Sequence, residues 1–169
     1  LYPAATVLAG ERAQVAAVLA ALARHDAFHF GGHAVSLEAG LGGTLLLLAP
    51  GPADDGTLPI DLLREAPLAR TRVVVLAACR SLSGFGSDRE GPAGVAGAFF
   101  AAGAPAVVAA LWQVEDRSSL DLMRRLHRRV ARGEEAVSAL RQVMLESLRD
   151  PDPAKRSPSY WAAYAVLGV

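Results

Sequence analysis

The run RVVVLAA at residues 72–78 constrains the fold of this chain more than any other stretch. Its side chains are apolar and mostly β-branched on both faces that a strand presents, which is typical of a central parallel strand covered by helices on each side. The segment AVVAALWQV at 106–114 repeats this pattern. The two runs therefore predict a sheet that is buried on both faces.

Helical and strand patterns alternate along the rest of the chain. Strands are predicted at 27–30, 44–50, 72–78, 106–114 and 161–169. Helices are predicted at 11–24, 59–66, 92–102, 119–131 and 134–148. This alternation predicts an α/β three-layer sandwich, with a largely parallel central sheet and helices on both faces.

Turn and cap signals separate these elements. Asp55-Gly56 predicts a turn, and Gly103 stands where a helix cap is expected. Ser118 followed by Asp121 has the spacing of a capping box, which predicts a helix start there. The segment 149–159 carries three prolines and is predicted to be an exposed loop.

Size and charge limit the function classes. A chain of 169 residues can bury one core, so a single domain over 1–169 is predicted. Lys plus Arg and Asp plus Glu both number 17, which gives no general attraction to nucleic acid or to an anionic membrane. A single cysteine, no secretory signal and no apolar run of membrane-spanning length lead us to expect a soluble, cytoplasmic protein.

The chain begins with Leu1 rather than Met. This predicts that it is the N-terminally truncated, C-terminal part of a longer protein.

Cys79, the only cysteine, directly follows the strand 72–78. Ligands and chemistry collect beyond the carboxyl ends of parallel strands, yet a lone cysteine is most often packing. A nucleophilic thiol needs a base within hydrogen-bond reach, usually a histidine. His33 is the candidate, because it stands in HFGGHA, where the strand 27–30 ends and the chain turns at the same edge of the sheet.

The other polar features are interpreted structurally. His29 is expected to be a hydrogen-bonded strand residue, and His25 and His127 are expected at the surface. No histidine pair has a further ligand at zinc spacing, so no metal is expected. The arginines of helix 119–131 are interpreted as a solvated face or as a docking surface for another domain, and no nucleic-acid partner is expected since no aromatic residues interleave with them.

Taken together, four stretches resemble a CHAT domain, the caspase-like cysteine-peptidase module related to separase. They are HFGGHA, VVVLAACRS, GVAGAFFAAGAPAVVAALWQVED and WAAYAVLGV, and they occur in the order and spacing of that family. The interval of 46 residues from His33 to Cys79 is near the spacing of about 50 residues in caspases.

The resemblance implies a cytoplasmic cysteine endopeptidase of caspase-like fold that cuts protein or peptide substrates without a cofactor. It implies Cys79 as nucleophile, His33 as general base and an oxyanion hole made by the backbone N–H groups of Ala34 and Cys79. Ala34 stands where the family usually has glycine, and Arg80 where an acidic or polar residue is more usual. A regulatory N-terminal domain, such as helical repeats, and a signalling role are implied as well.

Substrate selection is predicted from LWQVEDRSSLD at 111–121. The second buried strand should run beside the first, so Glu115 and Asp116 are expected at the same edge as Cys79. The stretch resembles the LW-x-V-x-D segment of separase-like relatives, whose acid recognises a basic residue before the cut bond. The resemblance therefore implies cleavage after Arg, or less often Lys, with Asp116 at the pocket floor, Glu115 as the alternative acid and Trp112 as a wall.

Two other functions stay open from the sequence. The first is a catalytically inactive CHAT-like domain that binds a partner and signals by association. The second is a plain doubly wound binding domain in which Cys79 only fills the core. Labelling with a thiol-reactive peptide electrophile separates the peptidase from both.

Overall fold

The computed structural model describes residues 1–36, 44–66, 68–78, 81–82 and 94–168. In these ranges a short 3-10 helix spans Gly10–Arg12, and the α-helices are α1 (Val15–Leu22), α2 (Ile60–Arg64), α3 (Gly94–Ala101), α4 (Asp116–Val130), α5 (Ala136–Leu148), α6 (Pro153–Arg156) and α7 (Pro158–Trp161). The strands are β1 (Ala27–Phe30), β2 (His33–Ser36), β3 (Thr44–Leu47), β4 (Thr57–Leu58), β5 (Val73–Leu76), β6 (Ala106–Ala110) and β7 (Tyr164–Gly168).

The central sheet has the strand order β1-β5-β6-β7. β1, β5 and β6 are parallel, whereas β7 is antiparallel to β6. A single helical crossover returns the chain to the end of the sheet where a strand began, which makes the next strand parallel. Two long helices, α4 and α5, separate β6 from β7, so the chain re-enters from the opposite end. The predicted mixed α/β fold with a mostly parallel central sheet is confirmed.

Every described side chain of β5 and β6 is buried. Val74 and Leu76 enter an apolar core shared with α1 and α3. Val73 and Val75 point the other way, into a core shared with α4 and α5. This alternation matches the period of two along a strand, and it confirms that these two central strands are buried on both faces.

A second, antiparallel sheet of order β2-β3-β4 packs on the α1 and α3 side. Leu46 and Leu58 anchor it there, both with no exposed area. Its hairpin turns at Gly56, which has a φ of +83° and confirms the predicted turn. Neither β2 nor β4 was predicted, because β4 has two residues and the β2 sequence turns Val35 outward and the smaller Ala34 inward.

The predicted loop at 149–159 is wrong, since α6 and α7 occupy most of it. Asp152 begins α6 by accepting the N–H of Ala154 at 2.9 Å. Pro153 and Pro158 stand in the first turns of the two helices, where a missing N–H loses no intrahelical bond. The prolines therefore mark helix starts here.

The remaining helices occupy the regions where the sequence predicted them. Gly103 ends α3 with a φ of +98°, so the predicted cap is confirmed. Within the described ranges, no helix is long and apolar enough to cross a membrane.

Candidate active site

Strands β1 and β5 end level with each other at one edge of the central sheet. Phe30 pairs with Leu76, and the N–H of Ala77 donates to the C=O of Phe30 at 2.8 Å. His33 follows Phe30 by three residues, and Cys79 follows Leu76 by the same number. The sequence interval between the two candidates therefore equals the register offset of their strands. Cys79 and Arg80 lie outside the described residues.

His33 is the first residue of β2, reached after the chain turns at Gly31 and Gly32. A Cβ on Gly32 would lie 2.7 Å from the Phe30 ring, so a side chain at this position would have to displace that ring. His33 is exposed, and Leu47 lies directly across from it in β3. Among the described residues, the His33 side chain is therefore open to solvent.

Ala34 lies within β2 and packs against the core beneath it. A strand backbone is extended, so the left-handed conformation that favours glycine is not needed at this position. Alanine can therefore replace glycine here without strain, and its N–H remains a candidate oxyanion donor.

The predicted capping box at Ser118 and Asp121 is wrong, because α4 already begins at Asp116. Ser118 lies inside the first turn and donates through Oγ to the C=O of Glu115 at 3.0 Å. Asp121 accepts the Tyr160 hydroxyl at 2.7 Å and pairs with Arg125 at 2.8 Å. Asp121 thus ties α4 to α7 instead of capping a helix.

A cavity of about 430 Å³ lies beyond the carboxyl end of β6. It is lined by Trp112, Gln113, Glu115, Ser118, Ala154, Ser159 and Tyr160. Two of the three predicted substrate-binding residues, Trp112 and Glu115, are thus brought together, and Glu115 is the charged side chain of this lining. Asp116 is exposed at the first position of α4 and does not line the cavity.

Burial and the Asp121 carboxylate raise the pKa of Tyr160 to about 12. This hydroxyl therefore stays protonated at neutral pH and adds no charge to the cavity. No local sequence pattern points to Tyr160, because 39 residues separate it from Asp121.

The model of the CHAT domain family matches residues 2–169. The chain belongs to the CHAT domain family. No curated protein matches it. The family is related to caspase-like peptidases, so the resemblance read from the four motifs is confirmed at the level of the family.

The CHAT domain also contains a histidine pair that the sequence did not predict. His29 Nδ1 lies 2.8 Å from His127 Nε2, and the Tyr2 hydroxyl lies 2.9 Å from His127 Nδ1. The interpretation of His127 as a plain surface residue is wrong, since it is half-buried and both ring nitrogens have partners. His25 is partly exposed, and its Nε2 lies 2.9 Å from Thr6 Oγ1 in an exposed hydrogen bond, in agreement with the expected surface position.

Both rings of the pair favour the neutral form. Desolvation, followed by the neighbouring His127, lowers the pKa of His29 to about 4. Desolvation also lowers the pKa of His127. The His29 side chain as a whole is exposed, but its Nδ1 lies against the His127 ring. Loss of water at this nitrogen disfavours the protonated form of His29.

We expect the CHAT domain to lose stability as the pH falls from about 6.5 towards 4, the window between the ordinary histidine pKa and that of His29. The unfolded chain binds protons in this window that the folded chain does not, so acidification favours unfolding. The measurement is Tm between pH 7 and 5. A His29→Gln, His127→Gln double variant should show a smaller slope, and an equal slope would exclude the pair as the source.

The arginines of α4 are only partly the solvated face that the sequence indicated. Arg125 pairs with Asp121, and Arg129 pairs with Glu134 at 3.0 Å and with Glu146. The two Arg129 pairs tie α4 to α5 and to the turn between them, and Arg125 also donates to Ser147 of α5 at 3.0 Å, so both arginines stabilise the domain itself. In the ranges described, no three His, Cys, Asp or Glu side chains are grouped as metal ligands would be.

Proposed function

We propose that this CHAT domain is a cysteine endopeptidase with caspase-like layering, in which Cys79 is the nucleophile and His33 the general base. The level ends of β1 and β5 are the observation that carries the proposal. Phe30 and Leu76 are paired at the ends of these strands, and His33 and Cys79 each follow three residues later. This equal spacing supports a short distance between the two side chains. Family membership supports the reaction class.

In the proposed reaction His33 takes the thiol proton, and the Cys79 thiolate attacks the scissile carbonyl. The backbone N–H groups of Ala34 and Cys79 hold the negative oxygen of the tetrahedral intermediate, a contribution of about 3 kcal/mol for each donor. The C–N bond then breaks, His33 returns the proton to the leaving amine, and a thioester remains. Water, deprotonated by His33, hydrolyses this thioester and frees the thiol.

A peptidyl electrophile tests the proposal directly. An active thiolate is expected to form one covalent adduct per chain, and peptide mapping should locate it on Cys79. Cys79→Ala is the control and should stay unmodified. A chain that neither forms the adduct nor cleaves a peptide library would instead be the inactive, partner-binding alternative.

We further propose that the adjacent acids Glu115 and Asp116 select a basic residue before the cut bond. The family position indicates Asp116, whereas the cavity favours Glu115, with Trp112 beside it. A carboxylate binds the arginine guanidinium through two parallel hydrogen bonds and holds lysine less well.

Replacing both acids with alanine is expected to lower kcat/KM for an arginine peptide about 10-fold, since the guanidinium loses its charge-assisted hydrogen bonds to carboxylates that are exposed before substrate binds. The assay is a fluorogenic peptide series that differs only at the residue before the cut bond. A norleucine peptide is the control and should lose little. The single variant with the larger loss identifies the pocket floor, and an unchanged arginine preference in the double variant would refute the assignment.

A further inference from the structure

Ser81 stands two residues after Cys79 and has no exposed area. Its hydroxyl is used in both directions, since Oγ donates to the C=O of Leu76 at 3.1 Å and accepts the N–H of Ala110 at 2.9 Å. Leu76 ends β5 and Ala110 ends β6. One buried hydroxyl thus joins the carboxyl ends of the two central strands.

The backbone of Ser81 is fixed as well. Its N–H donates to the C=O of Ala78 at 3.3 Å, and its C=O accepts the N–H of Ala96 in α3 at 3.3 Å. The N–H of the next residue, Leu82, donates to the C=O of Ala110 at 3.0 Å. Ser81 and Leu82 therefore take the place beside β6 that β5 has left.

These contacts close the base of a short loop. The chain leaves β5 after Leu76 and returns at Ser81, and the 3.1 Å hydrogen bond joins the two points. Ala78, within this loop, is itself buried at 3% exposure. Ala78 and Ser81, the described residues on either side of Cys79 and Arg80, are therefore both held by the core.

We propose that Ser81 is a positioning residue for the nucleophile, an inference that rests on the proposed function. By fixing the chain two residues past Cys79, its hydroxyl sets where the thiol meets His33. Ser81 does not line the cavity beyond β6, so its loss acts on the chemical step and not on substrate binding.

The test compares Ser81→Ala with wild type in two assays. Peptide cleavage is expected to show kcat lowered about 10- to 100-fold, the effect of a displacement near 1 Å, with KM within a few-fold. The second assay is the pH profile of iodoacetamide alkylation, which reports on one thiol because the chain has a single cysteine. Its midpoint is expected to rise, because a misplaced thiol loses the help of His33 in ionising.

Ser147→Ala is the matched control. Ser147 also has no exposed area, donates to the C=O of Val143 at 3.0 Å and accepts from Arg125 at 3.0 Å. This variant is expected to lower Tm while kcat and the alkylation profile stay at wild-type values. Equal losses of kcat in Ser81→Ala and Ser147→Ala would show that the Ser81 effect is general destabilisation, and would overturn the proposal.

The pair Ser81→Thr and Ser81→Val separates the hydroxyl from the shape of the side chain, and it decides the matter should Ser81→Ala not fold. The two replacements have nearly the same volume, so only the threonine variant is expected to recover kcat. Equal kcat in the two variants overturns the proposal. If the wild-type chain cleaves peptide and Ser81→Ala matches it in both assays, only the positioning role of Ser81 is refuted. If the wild-type chain forms no adduct and cleaves no peptide, the proposed peptidase function itself is refuted.

Discussion

Replacing Cys79 with alanine is expected to lower kcat/KM for a cleaved peptide at least about 1000-fold. The variant keeps the oxyanion donors and the substrate-binding surface but has no nucleophile, so no acyl-enzyme can form. The chain has a single cysteine, and no second thiol can substitute for it. The assay is peptide hydrolysis at neutral pH, with Tm measured alongside. A folded variant that keeps turnover excludes Cys79 as the nucleophile.

His33→Ala is expected to cause a loss of similar size. Residues of one catalytic unit are strongly non-additive, so the double variant should be little worse than either single one. His29→Gln is the control, because His29 lies four residues earlier and its Nδ1 is engaged by His127. This control should keep kcat within a few-fold. If His29→Gln is inactive and His33→Ala is active, the base has been assigned to the wrong histidine.

The second large effect is on stability, where Gly56→Ala is expected to lower the free energy of unfolding by about 3 kcal/mol. Gly56 has a φ of +83°, and a Cβ there would lie 2.6 Å from the C=O oxygen of Leu48. The same Leu48 donates its N–H to the C=O of Gly56 at 2.7 Å, so this hairpin cannot open locally without losing that bond. For a domain of this size the loss is a fall in Tm of about 10 °C.

Gly103→Ala is the matched control for Gly56→Ala. Gly103 has a similar φ of +98°, but nothing lies within 4 Å of the position of its Cβ. It should therefore show only the cost of the left-handed backbone, about 1 kcal/mol. Thermal or urea unfolding of both variants separates the two effects. Similar losses would show that the close approach at Leu48 contributes nothing.

The sequence predicted the elements whose residue types directly reflect their surroundings in the folded chain. β5 and β6 are apolar on both faces because they are buried on both faces, and Gly103 is glycine because its φ is positive. Strands β2 and β4 of the small sheet escaped prediction, because Val35 of β2, 40% exposed, turns outward and β4 has only two residues. The prolines of 149–159 led to a predicted loop where two short helices form, since a proline can begin a helix as well as interrupt one.

For the candidate site, the sequence supplied identities but not contacts. The edge shared by β1 and β5 follows from strand order, and it was predicted. The contact between His29 and His127 joins residues 98 positions apart, and Ser81 meets Ala110 across 29 positions. No local pattern in a single sequence contains such pairs, because the sheet brings them together only after folding.

The direction of β7 has a consequence for how such a domain can diversify. Because β7 enters the sheet from the end where β6 finishes, α6 and α7 lie between two anchored points, at Leu148 and Tyr164. Ala154, Ser159 and Tyr160, which form one side of the cavity, belong to this stretch. The strands that lead to His33 and Cys79 come from other parts of the chain. Residues on this side of the cavity can therefore change without altering the strands that lead to His33 and Cys79.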